Sequence, residues 1–361
     1  MSSLKQYDAW LTRDDTAAVV IREPLVPVEG PDGVFFPATY AASEDKTFPG
    51  GYNIDPPSGE KNVCLVDSVG SQANRIEPIF GKPAYSKLVP QIVIEAGEKK
   101  VNLLEAGHRA GDAIVRCTPL QEKLRDAFKE VLRGNALPMA KVAPTSLVFG
   151  VWDSRDTQAK LPRLMAATIR AFDVRRLTRS AVYLPAVDYV DSGLVPEDLD
   201  AGKGRANPLA QRGYKHNPAS AAHGGVIAHS GVRRDITLSL AALRLLSAGD
   251  DEELTLVLRR YVLGLALVAL TAPAQTYLRQ GCNLVPDADQ QRTVTLVRAD
   301  GRREELMLDH GACLAFAELA AEDFKVGEPV PAKFDPQLAK QDLSGDTKPS
   351  RKLKAKATTR S

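Results

Sequence analysis

The chain has 361 residues, 44% of them apolar, which is enough to bury the core of one large domain or two modest ones. A formal net charge of only +2 excludes a protein that binds nucleic acid through its overall electrostatic field. The charge is unevenly distributed, because six Lys/Arg and no Asp/Glu lie from Lys348 to the end, which leaves the rest of the chain net acidic. Binding of nucleic acid by that part would need a local basic stripe.

Several classes of protein are disfavoured by apolar runs and by cysteine and histidine spacing. The longest strongly apolar run, 261–270, is about half of the roughly 20 residues that span a bilayer, so it predicts a buried helix. The first residues lack the apolar centre of a signal peptide, and we expect a cytoplasmic protein. Scattered cysteines at 64, 117, 282 and 313 predict buried thiols, and no His-x-x-x-His pair occurs. We expect no metal and no cofactor.

Strands and helices alternate along the chain. Alternating or β-branched runs predict strands at 17–29, 62–67, 89–95, 146–152 and 181–190, and a hairpin of 293–298 with 304–308 around Asp300-Gly301. Apolar stripes and capping residues predict helices at 68–80, 118–132, 161–172, 235–246, 251–270 and 311–324. Interleaved strands and helices indicate an α+β or α/β sheet.

Three segments interrupt this pattern and are treated as insertions in a core of residues 1–330. They are 39–61, 97–111 and 191–222, the last being too long for an ordinary connection. From about residue 330 the chain is rich in Pro, Lys and Ser, so 331–361 is predicted to be a basic disordered tail.

Cationic residues recur where helices are predicted to begin. Arg233 and Arg234 precede an apparent Asp235 cap, and Arg155, Lys160 and Arg163 lie around the start of the predicted helix 161–172. Cations there are unfavourable unless an anion is bound, because the backbone amides already carry positive charge. Bound phosphate would explain them. The alternative is that they pair with nearby carboxylates on a solvated face.

A third junction, 66–77, runs from a strand into a helix through Ser68, Gly70 and Ser71. Gln72, Asn74 and Arg75 follow as further hydrogen-bonding groups at the surface. The spacing is not that of a nucleotide P-loop, and an ordinary strand-to-helix turn remains the alternative.

A line of basic residues is predicted along the helix 161–172 and beyond its end. Arg163 and Arg170 are seven residues apart, which would place them on one helical face, and three further arginines follow at 175, 176 and 179. Between Arg155 and Arg244 there are 14 Lys/Arg against 8 Asp/Glu. The excess favours a track for phosphates over a merely solvated face.

Motifs along the chain resemble a known family. They are LVDSVGSQANRIE (65–77), FGVWDSR (149–155), KLPR (160–163), LTRSA (177–181), HGGV (223–226), GVRRD (231–235) and LRQGC (278–282). In this order they resemble the major backbone subunit of the type I-G (formerly I-U) CRISPR Cascade effector, a member of the repeat-associated mysterious protein (RAMP) superfamily. The resemblance runs from about residue 19 to 286.

The resemblance implies a modified RRM/ferredoxin-like palm with an extended thumb-like insertion, 191–222. It implies a non-catalytic subunit whose copies form a filament along CRISPR guide RNA and present the guide to target DNA. Other Cascade subunits and a recruited helicase-nuclease are the further partners implied, with no membrane. Few aromatic residues, 6%, are available to stack bases, which fits capture of the RNA backbone.

The RNA-binding residues expected from the resemblance and the basic line are Ser71, Gln72, Asn74, Arg75, Arg155, Lys160, Arg163, Arg170, Arg179, His223, Arg233, Arg234 and Gln280. Two other functions remain open at this stage. One is a RAMP-type endoribonuclease using His223 or His229 with Asp153 or Asp156. The other is a purely structural assembly protein whose basic segments bind protein carboxylates.

Overall fold

The computed structural model describes residues 3–45, 47–56, 61–181, 183–200, 207–216 and 219–345. The strands are β1 (Thr16–Pro27), β2 (Thr39–Tyr40), β3 (Gly51–Tyr52), β4 (Ile54–Asp55), β5 (Val63–Asp67), β6 (Ile92–Ala96), β7 (Lys99–Asn102), β8 (Val151–Trp152), β9 (Lys160–Leu161), β10 (Met165–Phe172), β11 (Val174–Ala181), β12 (Ala219–Ala228), β13 (Val232–Ser239), β14 (Tyr277–Arg279), β15 (Cys282–Pro286), β16 (Thr293–Arg298), β17 (Arg303–Glu305) and β18 (Val330–Lys333).

The helices are α1 (Asp8–Thr12), α2 (Val69–Ile76), α3 (Ala113–Arg116), α4 (Gln121–Leu132), α5 (Leu137–Val142), α6 (Thr145–Phe149), α7 (Pro208–Gln211), α8 (Leu240–Leu243), α9 (Glu252–Thr271), α10 (His310–Phe324) and α11 (Pro336–Gly345). Single 3₁₀ turns lie at Glu77–Gly81, Ser86–Leu88, Leu103–Glu105, Arg109–Gly111 and Glu197–Leu199.

Four antiparallel strands in the order β16–β1–β13–β10 form the centre of a nine-stranded sheet. The chain passes from β1 to β10 through helices, reaches β13 by way of β11, the following insertion and β12, and returns to β16 after α8 and α9. This connectivity is the β-α-β-β-α-β order of the ferredoxin-like fold. The predicted α+β class and RRM/ferredoxin-like palm are confirmed. β5 extends the sheet beside β10, and β15 pairs with the last residues of β1.

Successive residues of the central strands face opposite sides of the sheet. Val19 and Ile21 of β1 and Ile236 and Leu238 of β13 are buried in the main core beside α9 and α10. The opposite side carries polar, partly exposed residues, including Arg22. One side of the sheet is therefore covered by helices, and the other remains polar.

Helix α9 is the central element of the covered side. Asp251 caps it by accepting a hydrogen bond from the backbone N–H of Leu254, and acidic residues fill the first turn. Among the described residues it is the one helix long and apolar enough to cross a membrane, but 78% of its apolar window is buried within the fold. It packs on α10, where a Cβ added to Gly264 would lie 2.9 Å from Ala317 Cα. The prediction of a buried core helix is confirmed.

Several predicted elements agree with the structure. The predicted strands 17–29 and 62–67 correspond to β1 and β5, and the hairpin around Asp300-Gly301 corresponds to β16 and β17. The helices predicted at 118–132, 251–270 and 311–324 correspond to α4, α9 and α10. The four cysteines are buried and free, as predicted.

Two predicted helices are wrong. Residues 165–172 form β10 and 232–239 form β13, so a strand occupies most of the segment expected as helix 161–172 and the start of the one expected at 235–246. In β10, Met165, Ala167, Ile169 and Ala171 are buried in alternation, and in β13 the same period applies. Alanine and leucine favour helices, but pairing with the neighbouring strands outweighs this propensity.

The strands predicted at 146–152 and 181–190 are also wrong. Residues 145–149 form the buried helix α6, which is followed by the short strand β8. Residues 183–190 form turns, because the preceding strand, β11, ends at Ala181. The β-branched residues of the first segment are buried in a helix. Those of the second segment follow the end of β11.

The insertion predicted at 191–222 is carried by a two-stranded arm. β11 and β12 pair antiparallel and continue the β10–β13 hairpin beyond the sheet. Residues 219–222, placed in the insertion, belong to β12. Of the remainder, 201–206 and 217–218 lie outside the described residues.

The predicted tail begins later than expected. Val330–Lys333 pairs in parallel with β6, and Pro336–Gly345 forms α11, where Asp342 accepts a 3.0 Å hydrogen bond from Arg116. The residues from 331 to 345 are therefore ordered in the fold, which corrects the start of the tail. The basic segment 348–361 lies outside the described residues.

The buried ion pair of Arg234 and Glu23 yields a stability prediction. Their side chains are 6% and 7% exposed and lie 2.7 Å apart on neighbouring strands. Arg234→Ala should lower the free energy of unfolding by about 3–5 kcal/mol, because it leaves the buried Glu23 carboxylate without its partner. Arg233→Ala is the matched control, expected to cost less than about 1 kcal/mol, since Arg233 faces the exposed side. Urea denaturation measures both, and equal losses would contradict the prediction.

Candidate nucleic-acid interface

The thirteen predicted site residues fall into separate regions of the molecule. Arg170 and Arg233 lie on the uncovered side of the sheet, and Arg179 lies on the arm. Lys160 and Arg163 line a groove beside β8 and β9. The remaining residues lie at the strand-to-helix junction after β5, in the turn between β8 and β9, at the base of the arm, in a turn between β14 and β15, or beneath the sheet.

The uncovered side of the sheet carries a row of arginines. Arg170 of β10 is opposite Arg233 of β13, and Asp235 of β13 is opposite Arg22 of β1. Asp235 accepts hydrogen bonds of 2.8 and 3.1 Å from Arg233 and lies 3.9 Å from Arg22 Nε. Arg233 also lies over the Phe172 ring, 4.9 Å from its centroid. We call these five side chains the open face; it carries three cations and one carboxylate, which contacts Arg22 and Arg233.

The basic character continues onto the arm. Arg175, Arg176 and Arg179 of β11 are all exposed. The guanidinium carbon of Arg179 lies 5.6 Å from the centroid of the Phe36 ring, which orients this side chain over the base of the arm. The open face and the arm therefore both carry cations on consecutive strands of the chain, β10 and β11.

Arg233 and Arg234 were predicted at a helix start. This prediction is wrong, because the two are adjacent residues of strand β13. Neighbouring residues of a strand face opposite sides, so only Arg233 reaches the open face. Arg234 is buried against Glu23, and burial lowers the pKa of its guanidinium while Glu23 opposes this shift. Arg234 is therefore a structural residue and is removed from the candidate interface.

Arg163 and Arg170 likewise do not share a helical face. Arg163 is exposed just before β10 and Arg170 is within it, where its Nη1 donates a 2.6 Å hydrogen bond to Thr168 Oγ1. The basic line predicted from helical spacing is thus divided between the groove and the open face.

The junction after β5 is organised around a buried carboxylate, Asp67. Its oxygens accept hydrogen bonds from Gln72 Nε2 at 2.7 Å, from Arg75 Nε at 3.1 Å and from Arg279 Nη2 at 2.5 Å. The Asp67 side chain is 0% exposed, so its negative charge needs these donors. Two of the predicted RNA ligands, Gln72 and Arg75, are therefore already used within the fold.

Ser68 is the N-cap of helix α2. Ser68 Oγ accepts a hydrogen bond from the backbone N–H of Ser71 at 3.2 Å and lies 3.1 Å from the Ser71 hydroxyl. Asn74 is exposed one turn later. Gln280 is exposed in the turn after Arg279, so the junction and this turn are linked through Asp67.

A second buried ion pair, Glu77 with Arg109, fixes the neighbouring loop. Arg109 Nε lies 2.6 Å from Glu77 Oε2, with side chains 4% and 1% exposed. The guanidinium also donates to the carbonyl oxygen of Gly150 at 3.2 Å and to Asn74 Oδ1 at 3.1 Å. Arg109 therefore ties α2 to the loop before β8. Burial raises the pKa of Glu77 to about 7, with Arg109 and Thr145 opposing that shift.

The Glu77–Arg109 pair supports one wall of the groove beside β8 and β9, because Arg109 is part of the groove lining. The groove has a volume of about 430 Å³. Trp152 and Lys160 are cross-strand neighbours in β8 and β9, and the Lys160 ammonium lies 5.7 Å from the indole centroid. Trp152 is 58% exposed, and the other polar residues of the lining are His108, Arg109, Ser154 and Arg163. The groove was not recognised from the sequence as a site containing an exposed aromatic residue.

The acidic residues considered for nuclease chemistry are engaged elsewhere. Asp153 is buried; burial opposes its ionisation, yet hydrogen bonds from Thr157 and from backbone amides lower its pKa. Asp156 accepts a 2.5 Å hydrogen bond from Arg125 Nε. Arg155 is exposed beside these two residues. Within the described part of the chain, no group of His, Cys, Asp and Glu is arranged to hold a metal ion.

His223 lies at the base of the arm. Its ring is 4.9 Å from the Tyr52 ring, and a Cβ on Gly51 would lie 2.5 Å from His223 Cε1, so this position requires glycine. Among the described residues, its buried Nδ1 has no hydrogen-bond partner. His229 is exposed in the turn that joins β12 to β13. The two histidines are on the same hairpin as the open face but are not part of it.

Sequence reasoning missed Arg22, because this residue lies outside the recognised motifs and has no basic neighbour in β1. The signal was available, since Arg22 is the one cation among the outward residues of an otherwise apolar alternating strand. Its relation to Arg233 depends on the register of β1 with β13, which a single sequence does not specify.

Residues 19–176, a little under half of the chain, match the family model described as CRISPR-associated protein GSU0053 (Cas_GSU0053). The match includes β1, the Asp67 junction, the groove and β10, and it ends within β11. It indicates a CRISPR-associated protein of the RAMP-like type and involvement in CRISPR defence. Comparison with curated proteins gave no match.

Glu77 leads to a prediction about pH. Because the pKa of Glu77 is about 7 in the fold, against an ordinary value of 4.5, the folded state binds more protons than the unfolded state between these two pH values. The stability of the wild type relative to Glu77→Gln should therefore fall as pH rises from about 4.5 to about 7. Urea denaturation of both proteins across this range measures the difference. A rising difference would mean that Arg109 dominates and holds Glu77 ionised.

Proposed function

Starting from the match to a CRISPR-associated family, we propose that the chain is a non-catalytic backbone subunit of a Cascade-type effector. Copies assemble along CRISPR guide RNA, bind its phosphates and leave its bases free to pair with target DNA. The observation that carries the proposal is the row of Arg22, Arg170 and Arg233 on the uncovered face of a ferredoxin-like sheet. The effector class, its type I-G subtype and a cytoplasmic location are part of the same proposal.

The charge balance of the open face supports binding of phosphate. Asp235 is the one carboxylate among its five side chains and serves both Arg22 and Arg233. These pairs are partly exposed, so each contributes only about 0–1 kcal/mol and can be exchanged for a phosphate at little cost. Guanidinium groups bind phosphate oxygens through charge-assisted, often bidentate hydrogen bonds.

The composition of the open face favours backbone capture over reading of bases. Phe172 is the only aromatic side chain among these five residues, and Arg233 already lies over its ring. A sheet that recognises RNA by sequence instead presents aromatic residues on which bases stack. Sequence recognition would then be left to pairing between guide and target.

The arm supports assembly with further copies. Six large apolar side chains are exposed on its described residues: Tyr183, Leu184, Val187, Leu194, Leu199 and Tyr214. Such a concentration of exposed apolar groups is typical of a surface that another protein covers. A contact between the arm of one copy and a different surface of the next would propagate an open filament. The other Cascade subunits and a helicase-nuclease would bind this assembly.

The endonuclease alternative has less support. Asp153 accepts hydrogen bonds from Thr157 and Asp156 from Arg125, and the ring of His223 packs against Tyr52. A general acid or base must reach the scissile group, and neither carboxylate is directed to the open face. The structural-assembly alternative differs from the proposal in requiring no RNA, and RNA binding therefore separates the two.

Removal of the open-face cations should weaken RNA binding. For Arg22→Ala, Arg170→Ala and Arg233→Ala combined, affinity for unstructured single-stranded RNA should fall by about 1.5–3 kcal/mol per lost contact. The slope of log affinity against log salt should become shallower by about 2, because three phosphate contacts are lost. The loss should be similar for unrelated sequences. Fluorescence anisotropy at several salt concentrations measures these quantities.

The matched control removes three exposed cations from helix α4, as Lys123→Ala, Lys129→Ala and Arg133→Ala. It changes the net charge equally and should leave the salt slope unchanged if the open face binds RNA. Equal effects of the two triple variants would attribute binding to overall charge and contradict the proposed site.

Assembly should depend on the apolar arm. Leu184→Ser with Leu194→Ser removes two side chains that are 71% and 64% exposed. If each is buried at about 1.5–3 kcal/mol in the filament, association between subunits should weaken by about two to four orders of magnitude, with binding of one copy to short RNA retained. Sedimentation velocity with long RNA measures this.

Leu132→Ser with Leu245→Ser, at positions 60% and 82% exposed, is the control and should assemble normally. A wild-type protein that stays monomeric on long RNA would refute the backbone role directly.

A further inference from the structure

The groove beside β8 and β9 combines an exposed aromatic ring with cations. Trp152 and Lys160 project from the same face of a two-stranded ladder, while their neighbours Val151 and Leu161 are buried beneath it. Cross-strand partners on one face are close enough to act together on one ligand. The exposed indole therefore lies beside an ammonium group at the entrance of a concave site.

The charge of the groove is positive at its polar end. In the salt bridges of the described residues, neither Lys160 nor Arg163 has a carboxylate partner. The acidic residues between β8 and β9 are engaged elsewhere: Asp153 is 3% exposed and accepts hydrogen bonds from Thr157 and nearby amides, and Asp156 accepts one from Arg125 Nε. An anion entering the groove would therefore meet two uncompensated cations.

The walls of the groove are held in place by backbone contacts. Gly150 has a φ of +76°, and an added Cβ would lie 2.8 Å from Arg163 Cγ and 3.0 Å from the Arg163 backbone nitrogen. The guanidinium of Arg109 donates to the Gly150 carbonyl oxygen from a buried position. The site is therefore pre-organised, which lowers the entropic cost of binding.

We propose that this groove binds a single nucleotide of a nucleic-acid strand, with its base stacked on Trp152 and its phosphate held by Lys160 and Arg163. The inference rests on the proposed function but adds a stacking site to an interface otherwise limited to phosphate contacts. The volume of about 430 Å³ lies within the range of small-molecule sites. A protein partner is less favoured, because Trp152 is the only large apolar side chain in this lining that is exposed.

The test uses the fluorescence of Trp152. The chain contains two tryptophans, and Trp10 packs on Tyr7 at the N-terminal helix, so Trp10→Phe leaves Trp152 as the reporter. The probes are short uridylate and deoxythymidylate oligomers, added to RNA-free protein. Stacking should quench Trp152 emission on binding, and the comparison of the two oligomers identifies whether RNA or DNA occupies the groove.

Affinity provides the second readout. Trp152→Ala should weaken oligomer binding by about 5- to 150-fold, whereas Trp152→Phe should retain most of the affinity because the ring remains. Lys160→Ala should weaken binding and reduce its salt dependence, whereas Lys129→Ala, at a similarly exposed lysine, should not. Melting temperatures of all variants should equal that of the parent protein.

The outcomes separate this inference from the proposed function. Unquenched Trp152 emission, with Trp152→Ala binding normally and the open-face variant failing to bind, would overturn the stacking site and leave the RNA-binding role intact. A wild-type protein that binds neither oligomer would overturn both. If Trp152→Ala bound oligomers normally but lost subunit association, the groove would be a protein interface and the inference would be wrong.

Discussion

The pairing of β13 between β1 and β10 determines which side chains can meet a ligand. Because this strand is antiparallel to both neighbours, its register places Arg233 opposite Arg170 and Asp235 opposite Arg22. A shift by one residue would turn Arg234 outward and bury Arg233, and it would also remove Ile236 and Leu238 from the core. The apolar residues thus fix the positions of the cations. The interface depends on the same alternation that forms the core.

Much of the fold was accessible from the sequence where a single signal dominated. Helix α9 has a long apolar run with a cap at Asp251, and the hairpin β16–β17 has an Asp-Gly turn. The two wrong helix predictions fell on β10 and β13, where Ala, Leu and Met satisfy both a helical and a strand pattern. Only pairing with strands distant in the chain decides between them. Periodicity within one segment does not contain that information.

The sequence indicated cations of the candidate interface but not their arrangement. Lys160, Arg163 and Arg233 lie at the surface. The helix starts at which they were predicted are wrong, because strands occupy these segments. Arg22 and the role of Trp152 emerged only once the strands were paired. Contacts between residues far apart in sequence were thus the missing information, and they also account for the buried partners of Gln72 and Arg75.

Burial separates the arginines that are available to RNA from those that hold the fold together. Arg234 and Arg109 pair with carboxylates that are almost fully buried, and removing either partner would leave an isolated charge inside the protein. Asp235, by contrast, is 24% exposed and faces Arg22, which is 58% exposed. Water already screens that pair, so a phosphate can replace the carboxylate without exposing a desolvated charge. An acidic residue on the open face is therefore compatible with the proposed RNA binding: Asp235 orients Arg22 and Arg233, and the phosphates of a bound strand would displace it.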